Sequence, residues 1–429
     1  MATDVDVQYF SHLNGLTLGN NWGDLIRLLD KALVTGVDFT QITAASIDAQ
    51  GDVHITLYAA HNAMLFQVVE LSGFTPASLN QKYRIKGVPS ATELILKPHA
   101  AIVETNITIV GAGKLASLGY EIIFRDTNDV KRVYRAKNPT AQHPFIRVDE
   151  SLTSPDGTTG VYTSTYAKYA MVGLLEHMEH IDDYENPDVL QLPFDPADPS
   201  KNWKITGTGT SVIRGWARWM YASNQSSNLT DYLVPANGAR NFTVIGDKDA
   251  FYIHAALRSN APAIKRLMGC GLFDSALPTD VIPNWFLMAH VPAAPITAAT
   301  NYATYSNNIG GLTPLTTYSM NATFSVPKYT PLSRISNFTR ANPILPNYDT
   351  GSSNLYNSSN IPALGIPFYD DDKYLRGSLK HIHYCASDSR KTMYATTPIL
   401  GEGSMYVWDT ISNSNEANGG VLYYLGELE

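Results

Sequence analysis

From Val53 onward this chain is a succession of short apolar runs, each cut off by turn residues. Residues 53–58 alternate apolar and polar side chains. Residues 66–71 stop before Gly73, 82–86 are bounded by Gly87 and Pro89, and 92–97 stop at Pro98. Alternation with a period of two puts successive side chains on opposite faces of a strand, and runs this short cannot sustain helices. The spacing therefore predicts a mainly β protein built from short strands and tight turns. The same texture returns at 120–125 and 130–135, which flank the polar turn Asp126-Thr-Asn-Asp129, and at 145–148. It returns again at 239–246 and 250–254 around Asp247-Lys-Asp249, at 285–290, at 404–408 and at 421–425.

Helical spacing is the exception. Trp22, Leu25, Ile26, Leu29 and Leu33 form one stripe over residues 22–35, and Gly36 is a natural left-handed stop. That helix is too short to stand alone and is expected to pack on the 53–58 and 66–71 strands. A second short helix is expected at 261–268, capped by Asn260 and ended by Gly269 and Gly271. Residues 166–178 suit either a helix or a long strand. Residues 292–365, rich in Thr, Asn, Ser, Pro and Tyr, are expected as long loops. The resulting fold class is mainly β, in two parts. Residues 1–140 form an N-terminal helix plus a small β-barrel or sandwich module. Residues 141–429 form a larger β-sandwich-like domain with long loops and a possible Pro-rich linker at 184–202.

Composition narrows the function. Charged residues make up 16% of the 429, against an average near 25%, and the net charge is −8. Displacing phosphate counterions needs basic surface, so nucleic acid is not an expected partner. No apolar stretch approaches the roughly 18 residues of a membrane span, and no basic start leads into a secretory apolar core. Membrane insertion is not expected, and synthesis in a cytoplasm is. Cys270 and Cys385 are expected as two free thiols.

Candidate chemistry is sparse. On a strand, His381, His383 and Cys385 would share a face, and imidazole and thiolate are zinc ligands. Neighbours on that face lie roughly 7 Å apart, which strains a shared tetrahedral ion, so the three are only weak metal candidates. His177 and His180 would share a helical face, but their spacing misses the metalloprotease pattern. Asp370, Asp371 and Asp372 lack the spaced loop of an EF-hand and read as an exposed turn. Thr206-Gly-Thr-Gly-Thr-Ser211 lacks the Lys of a phosphate loop, and no Gly-x-Ser-x-Gly elbow occurs. No catalytic residue and no cofactor is assigned. The 25 Tyr, set among Asn, Ser and Thr, suit either half-buried sheet faces or an uncharged contact surface.

Several blocks carry a resemblance. Leu25-Ile-Arg-Leu-Leu-Asp-Lys-Ala-Leu-Val-Thr-Gly36 resembles the opening of structural proteins of tailed bacteriophages. Gly51-Asp-Val-His-Ile-Thr-Leu57, His61, Val68-Val-Glu-Leu-Ser-Gly73, Leu79-Asn80, Tyr83-Arg-Ile85 and Val88-Pro-Ser-Ala-Thr92 are similar to a small β-barrel module of such virions. Gln81 stands where that module usually has Gly. Gly119-Tyr-Glu-Ile-Ile-Phe124, Asn128, Val133-Tyr-Arg135 and Phe145-Ile-Arg-Val-Asp149 resemble a second block. Arg240-Asn-Phe-Thr-Val-Ile-Gly-Asp247, Phe251-Tyr252 and Leu375-Arg-Gly377 resemble later ones. The resemblance implies a non-enzymatic virion component of the tail, baseplate or neck region. Such a protein is made in the host bacterial cytoplasm and assembles as a homo-oligomer around a ring or axis with other virion proteins. It brings no catalytic residues. The alternative is a carbohydrate- or receptor-binding tail protein, with Trp216 and Trp219 as candidate stacking residues.

Overall fold

Strands pair antiparallel throughout the named elements of this computed structural model. It describes residues 3–208, 212–215, 217–224, 229–230, 233–290, 304–305, 315, 324–330, 337–344, 363–385, 396–411 and 419–428. Strands hold 46% of residues and helices 7%, so the protein is mainly β with several antiparallel sheets.

The chain opens on a strand, Gln8–Ser11, and not on a helix. Helix begins only at Asp24, because Gly23 adopts the left-handed region (φ 85°), and Trp22 turns away to donate to the Ser164 carbonyl at 2.8 Å. Asp24–Leu29 is α-helical and Asp30–Thr35 continues as a π-helix, ending at Gly36. Leu25, Ile26, Leu29 and Leu33 are buried, as their spacing demands, and join one apolar cluster with Val53, Ile55, Val69 and Leu71.

A seven-stranded sheet follows, in the order Val37–Asp38, Ala112–Leu115, Val68–Ser72, Lys82–Ser90, Glu93–Pro98, Val53–Leu57, Ile42–Ile47. Its two outermost strands are consecutive in the chain, separated only by Phe39, Thr40 and Gln41. Lys82–Ser90 also supplies a clamp. The buried Arg84 guanidinium donates to the carbonyls of Asp4 (2.9 Å), Val7 (3.0 Å), Phe66 (2.7 Å) and Leu425 (3.0 Å), tying both ends of the chain to this sheet.

The next sheet runs Gln191–Leu192, Lys168–Leu175, Phe145–Asp149, Lys131–Ala136, Tyr120–Arg125, with Arg218–Ala222 on Lys168–Leu175. Within 166–178, residues 168–175 thus resolve as strand. Lys131–Ala136 pairs directly with Phe145–Asp149, so hydrogen bonds run across position 140. In the Pro-rich stretch at 184–202, Leu190, Leu192, Phe194 and Asn202 are buried, so it is packed there and does not hang free.

The largest sheet begins at Gln8–Ser11 and continues through Phe242–Gly246, Ala250–Ala256, Lys265–Leu272, Trp285–Met288, Phe324–Pro327 and Phe338–Pro343. It then runs through Leu364–Asp370, Leu375–Cys385, Gly419–Glu427, Ser404–Ile411 and Thr397–Gly401. Its two halves face each other across one interior of Tyr252, Phe286, Phe324, Phe368, Val407 and Tyr423. Two expectations are corrected here. Residues 265–272 are strand, overlapping the helix expected at 261–268: they hydrogen-bond between Ala250–Ala256 and Trp285–Met288, and their side chains are buried on both faces. Gly269 and Gly271 are not helix stops: a Cβ would lie 2.5 Å from the Phe251 carbonyl oxygen and 2.3 Å from that of Asp249, respectively, so close backbone approach requires glycine at both. Within 292–365, expected as loops, Phe324–Pro327 and Phe338–Pro343 are strands of this sheet, and Thr304–Tyr305 pairs with Leu229–Thr230. Much of the remainder of that expectation lies outside the described residues.

Candidate functional site

An open cleft of about 540 Å³ forms where Phe324–Pro327, Phe338–Pro343 and Leu364–Asp370 run out at neighbouring ends. Lys328, Asn337, Phe338, Thr339, Arg340, Asp371 and Asp372 line it. Antiparallel pairing of Ser325 with Arg340 and of Ala341 with Asp370 sets this geometry, because it brings the residues just beyond Pro327 and Asp370 to the same edge of the sheet. Arg340 donates to Asp371 Oδ1 through Nε (3.2 Å) and Nη2 (3.1 Å), and Asn342 Nδ2 adds a third donor at 3.0 Å. Lys328 Nζ lies 3.5 Å from Asp372 Oδ2. Tyr329, next to Lys328, meets Tyr374 edge-on at 5.6 Å beside the cleft. The cleft therefore alternates donors and acceptors around one half-buried ring, Phe338, with its formal charges balanced.

The three aspartates expected as one exposed turn are divided among three cations. Asp370 is buried, 3.2 Å from Arg376 Nη1, and accepts the Tyr374 N–H at 3.0 Å. Asp371 and Asp372 go to Arg340 and Lys328. Their oxygens diverge, so they do not form a common cation shell.

The weak metal candidates find other neighbours where they are described. His381 takes a left-handed backbone (φ 62°) within Leu375–Cys385, which breaks the two-residue alternation that would align it with its neighbours. Its Nε2 lies 3.0 Å from Asp247 Oδ2. His383 sits edge-on to Tyr424 at 6.3 Å, and burial, followed by the adjacent His381, pushes its pKa down. The Cys385 side chain lies outside the described residues. Cys270 is buried and free. His177 is exposed beyond the end of Lys168–Leu175 and not on a helix. Residues 209–211 of the Gly/Thr-rich loop lie outside the described residues, as does Trp216. Trp219 is buried and donates to the Met288 carbonyl at 2.9 Å, so it offers no stacking face to a sugar. Tyr9, Tyr83, Tyr120, Tyr134, Tyr169, Tyr252 and Tyr423 are also core residues, the sheet-face alternative for this residue type.

Two ionic clusters lie elsewhere. Asp409, fully buried, accepts from Lys265 Nζ (2.6 Å) and Thr243 Oγ1 (2.8 Å), and His254 Nδ1 stands 3.3 Å away. Burial alone would raise its carboxyl, but Lys265 and then His254 outweigh burial and hold it well below the usual range. At the Asp247–Asp249 turn, His143 Nε2 lies 2.9 Å from Asp249 Oδ1, and Lys380 Nζ donates to Oδ2 at 2.8 Å. The His143 contact, helped by Lys380, depresses Asp249 strongly despite partial burial. Both clusters join strands distant in sequence, and each carboxylate already has its partners within the protein.

Sequence reasoning missed two surface features. One is the cleft, whose Lys328, Asn337, Phe338 and Arg340 fell in presumed loops; the short alternation Phe338-Thr-Arg-Ala341 was the available signal. The other is the segment 101–110, Ala-Ile-Val-Glu-Thr-Asn-Ile-Thr-Ile-Val, between Glu93–Pro98 and Ala112–Leu115. It is anchored by an antiparallel bridge between Thr75 and Ile109, yet Val103 is 88% exposed and Ile109 56%. β-branched residues of this kind usually sit inside sheets.

Compared with models of known protein families the chain matches none, and no curated protein matches it significantly.

Proposed function

We propose that this chain is a non-enzymatic structural component of a tailed-phage particle, in the tail, baseplate or neck region. It works through contacts with further copies of itself and with other virion proteins. The observation that carries the assembly reading is the 101–110 segment. It displays Val103, Ile109 and Val110 to solvent with Glu104 as its only charge. Exposed, β-prone and nearly uncharged backbone of this kind is a template for pairing with another chain. The edge strand Thr397–Gly401 is also uncharged and exposes Leu400, so the same chain carries both an exposed apolar segment and an uncharged edge. A head-to-tail contact of this type closes into a ring when the rotation between copies permits. The phage assignment itself rests on the sequence blocks set out above. The seven-stranded sheet, whose two outermost strands are separated by only three residues, contains the 51–92 blocks and supports reading them as the small barrel module of that resemblance. The two facing halves of the largest sheet support a sandwich-like second part.

Sedimentation velocity and electron microscopy of the purified chain test the proposal. A discrete ring or axial oligomer is expected, and Val103→Asp with Ile109→Asp should shift it toward monomer while leaving circular dichroism unchanged. A parent protein that stays monomeric at micromolar concentration and fails to bind purified virions would overturn it.

A further inference from the structure

We propose that residues 103–106 of one copy add as a strand to the free edge of Ile42–Ile47 in the next copy. The inference rests on the assembly reading and names the contact that carries it.

The donating segment lacks hydrogen bonds of its own. The Ala100 N–H is held by Gln81 Oε1 at 2.7 Å, and the Thr108 N–H by the Thr75 carbonyl at 3.0 Å. Between these fixed points, residues 101–107 make no hydrogen bond with any described residue. Ile102 and Ile107 pack partly against the core, whereas Val103, Glu104, Thr105 and Asn106 are all exposed. Backbone N–H and C=O groups are obligatory hydrogen-bonding groups, so in a lone copy these fall to water.

The accepting edge is unusually plain. Among the described residues Ile42–Ile47 pairs only with Val53–Leu57, at one end of the seven-stranded sheet. Proteins usually blunt such an edge with Lys, Pro, a bulge or a covering loop. Residues 40–47 contain no charge and no proline. The register shift lies between Ile42 and Ala44, which leaves 44–47 regular, with Ala44 and Ser46 exposed. Thr397–Gly401, the other uncharged edge, carries Pro398, which cannot donate to a ladder.

These features select a second copy as the occupant. The segment offers four exposed residues, and the regular part of the edge takes four. Glu104 is the segment's only charge, and it meets none along 40–47. Within one copy the two do not pair: the segment is fixed at Gln81 and Thr75, while Ile42–Ile47 lies three strands beyond Lys82–Ser90. Every copy carries one of each, so a contact from one copy to the next leaves the same two features free at the ends and repeats until a ring closes. Main-chain hydrogen bonds supply the affinity of such strand addition, and the β-branched Val103 and Thr105 suit a pleated surface.

The test is hydrogen–deuterium exchange mass spectrometry of the full chain, dilute and concentrated, beside sedimentation velocity. In the dilute chain, residues 101–107 should exchange at once. On assembly these amides and those of 42–47 should both slow by about tenfold or more, as groups do on entering a ladder. Ala44→Lys with Ser46→Lys, both at exposed positions, should keep the parent melting temperature, weaken association about tenfold or more and leave 101–107 unprotected. Leu400→Lys, on the other edge, should change neither. A synthetic peptide of residues 101–110 should slow exchange at 42–47 in the dilute chain. An oligomer in which either segment stays unprotected, or one broken by Leu400→Lys and not by the paired lysines, would overturn this contact and leave the assembly reading standing. A chain that stays monomeric throughout would overturn both.

Discussion

Asp409→Asn tests how the two halves of the largest sheet are held together. Asp409 lies on Ser404–Ile411, whereas its partners Thr243, His254 and Lys265 lie on three consecutive strands of the opposite half. Lys265 is as fully buried as Asp409, so the amide variant leaves an ammonium in the interior without its counter-charge. Removing one member of a buried pair costs about 3–5 kcal/mol, because the surviving charge remains desolvated. Replacing both, Asp409→Leu with Lys265→Met, removes the two charges together and should recover most of that loss. Urea unfolding followed by tryptophan fluorescence, to which the buried Trp408 contributes, is the assay. With a slope of about 3 kcal/mol/M, the single variant should lower the midpoint by about 1–1.7 M. A shift under about 0.3 M, or a double variant no better than the single, would refute the reasoning. Acid offers an independent check. A carboxyl depressed in the fold contributes its full stabilisation above the unfolded pKa of about 3.9 and loses it as pH falls toward the folded value. The parent should therefore weaken steeply below about pH 4, and Asp409→Asn less steeply; parallel acid profiles would contradict this.

Other substitutions probe the remaining joints. Glu150 is buried and caps the first helix from another sheet, accepting the N–H groups of Gly23 (2.6 Å) and Ile26 (3.1 Å) and the Tyr221 hydroxyl (2.7 Å). Glu150→Ala should cost about 2–3 kcal/mol in chemical denaturation, with Glu150→Gln recovering part of it; equal losses would mean that packing, not capping, is what matters. Gly271→Ala places a Cβ 2.3 Å from the Asp249 oxygen at φ 139°, and should lower stability by about 2–4 kcal/mol, whereas Gly51→Ala, with open space around it, should cost less. Similar melting temperatures for the two glycine variants would show that backbone approach at Gly271 relaxes freely.

Period-two alternation made the strands legible. Tyr120–Arg125 matches its expected bounds, and Val53–Leu57, Lys131–Ala136 and Phe145–Asp149 fall within a residue of theirs. The misses share a physical cause. Lys265–Leu272 is buried on both faces, so it has no alternation, and its glycines imitate helix stops. Phe324–Pro327 and Phe338–Pro343 are short and set in uncharged polar sequence, where periodicity is faint. Trp22 fits the helical stripe, but Gly23 turns the chain before the helix starts, a conformational fact that side-chain spacing does not encode. The cleft was illegible for a different reason. Lys328 and Asp372 stand far apart in the chain and meet only because two strand ends coincide, and no local motif records that.

The low charge content also has a structural reading. Arg84, Arg132, Arg147, Arg214, Arg218 and Arg240 are all fully buried, together with Lys265. Arg84 and Arg240 spend their donors on backbone carbonyls: Arg84 on Asp4, Val7, Phe66 and Leu425, Arg240 on Gly19, Ala236, Gly238 and Leu257. Arg147 bonds the Ile181 carbonyl and Asp182 and lies over Trp203. Burying a guanidinium is costly unless its donors are satisfied, and a planar fork with five of them can bridge several segments at once. Arg84, Arg147 and Arg240 therefore act as internal cross-links between segments distant in sequence, which favours one rigid arrangement over alternatives. The surface is correspondingly poorer in cations than 16% charged residues would suggest. Charge moved from surface to interior trades self-repulsion between copies for stiffness within each copy. Under the proposed assembly reading, a subunit that packs against neighbours would gain from both, and the position of the arginines bears on that reading more directly than the number of charges does.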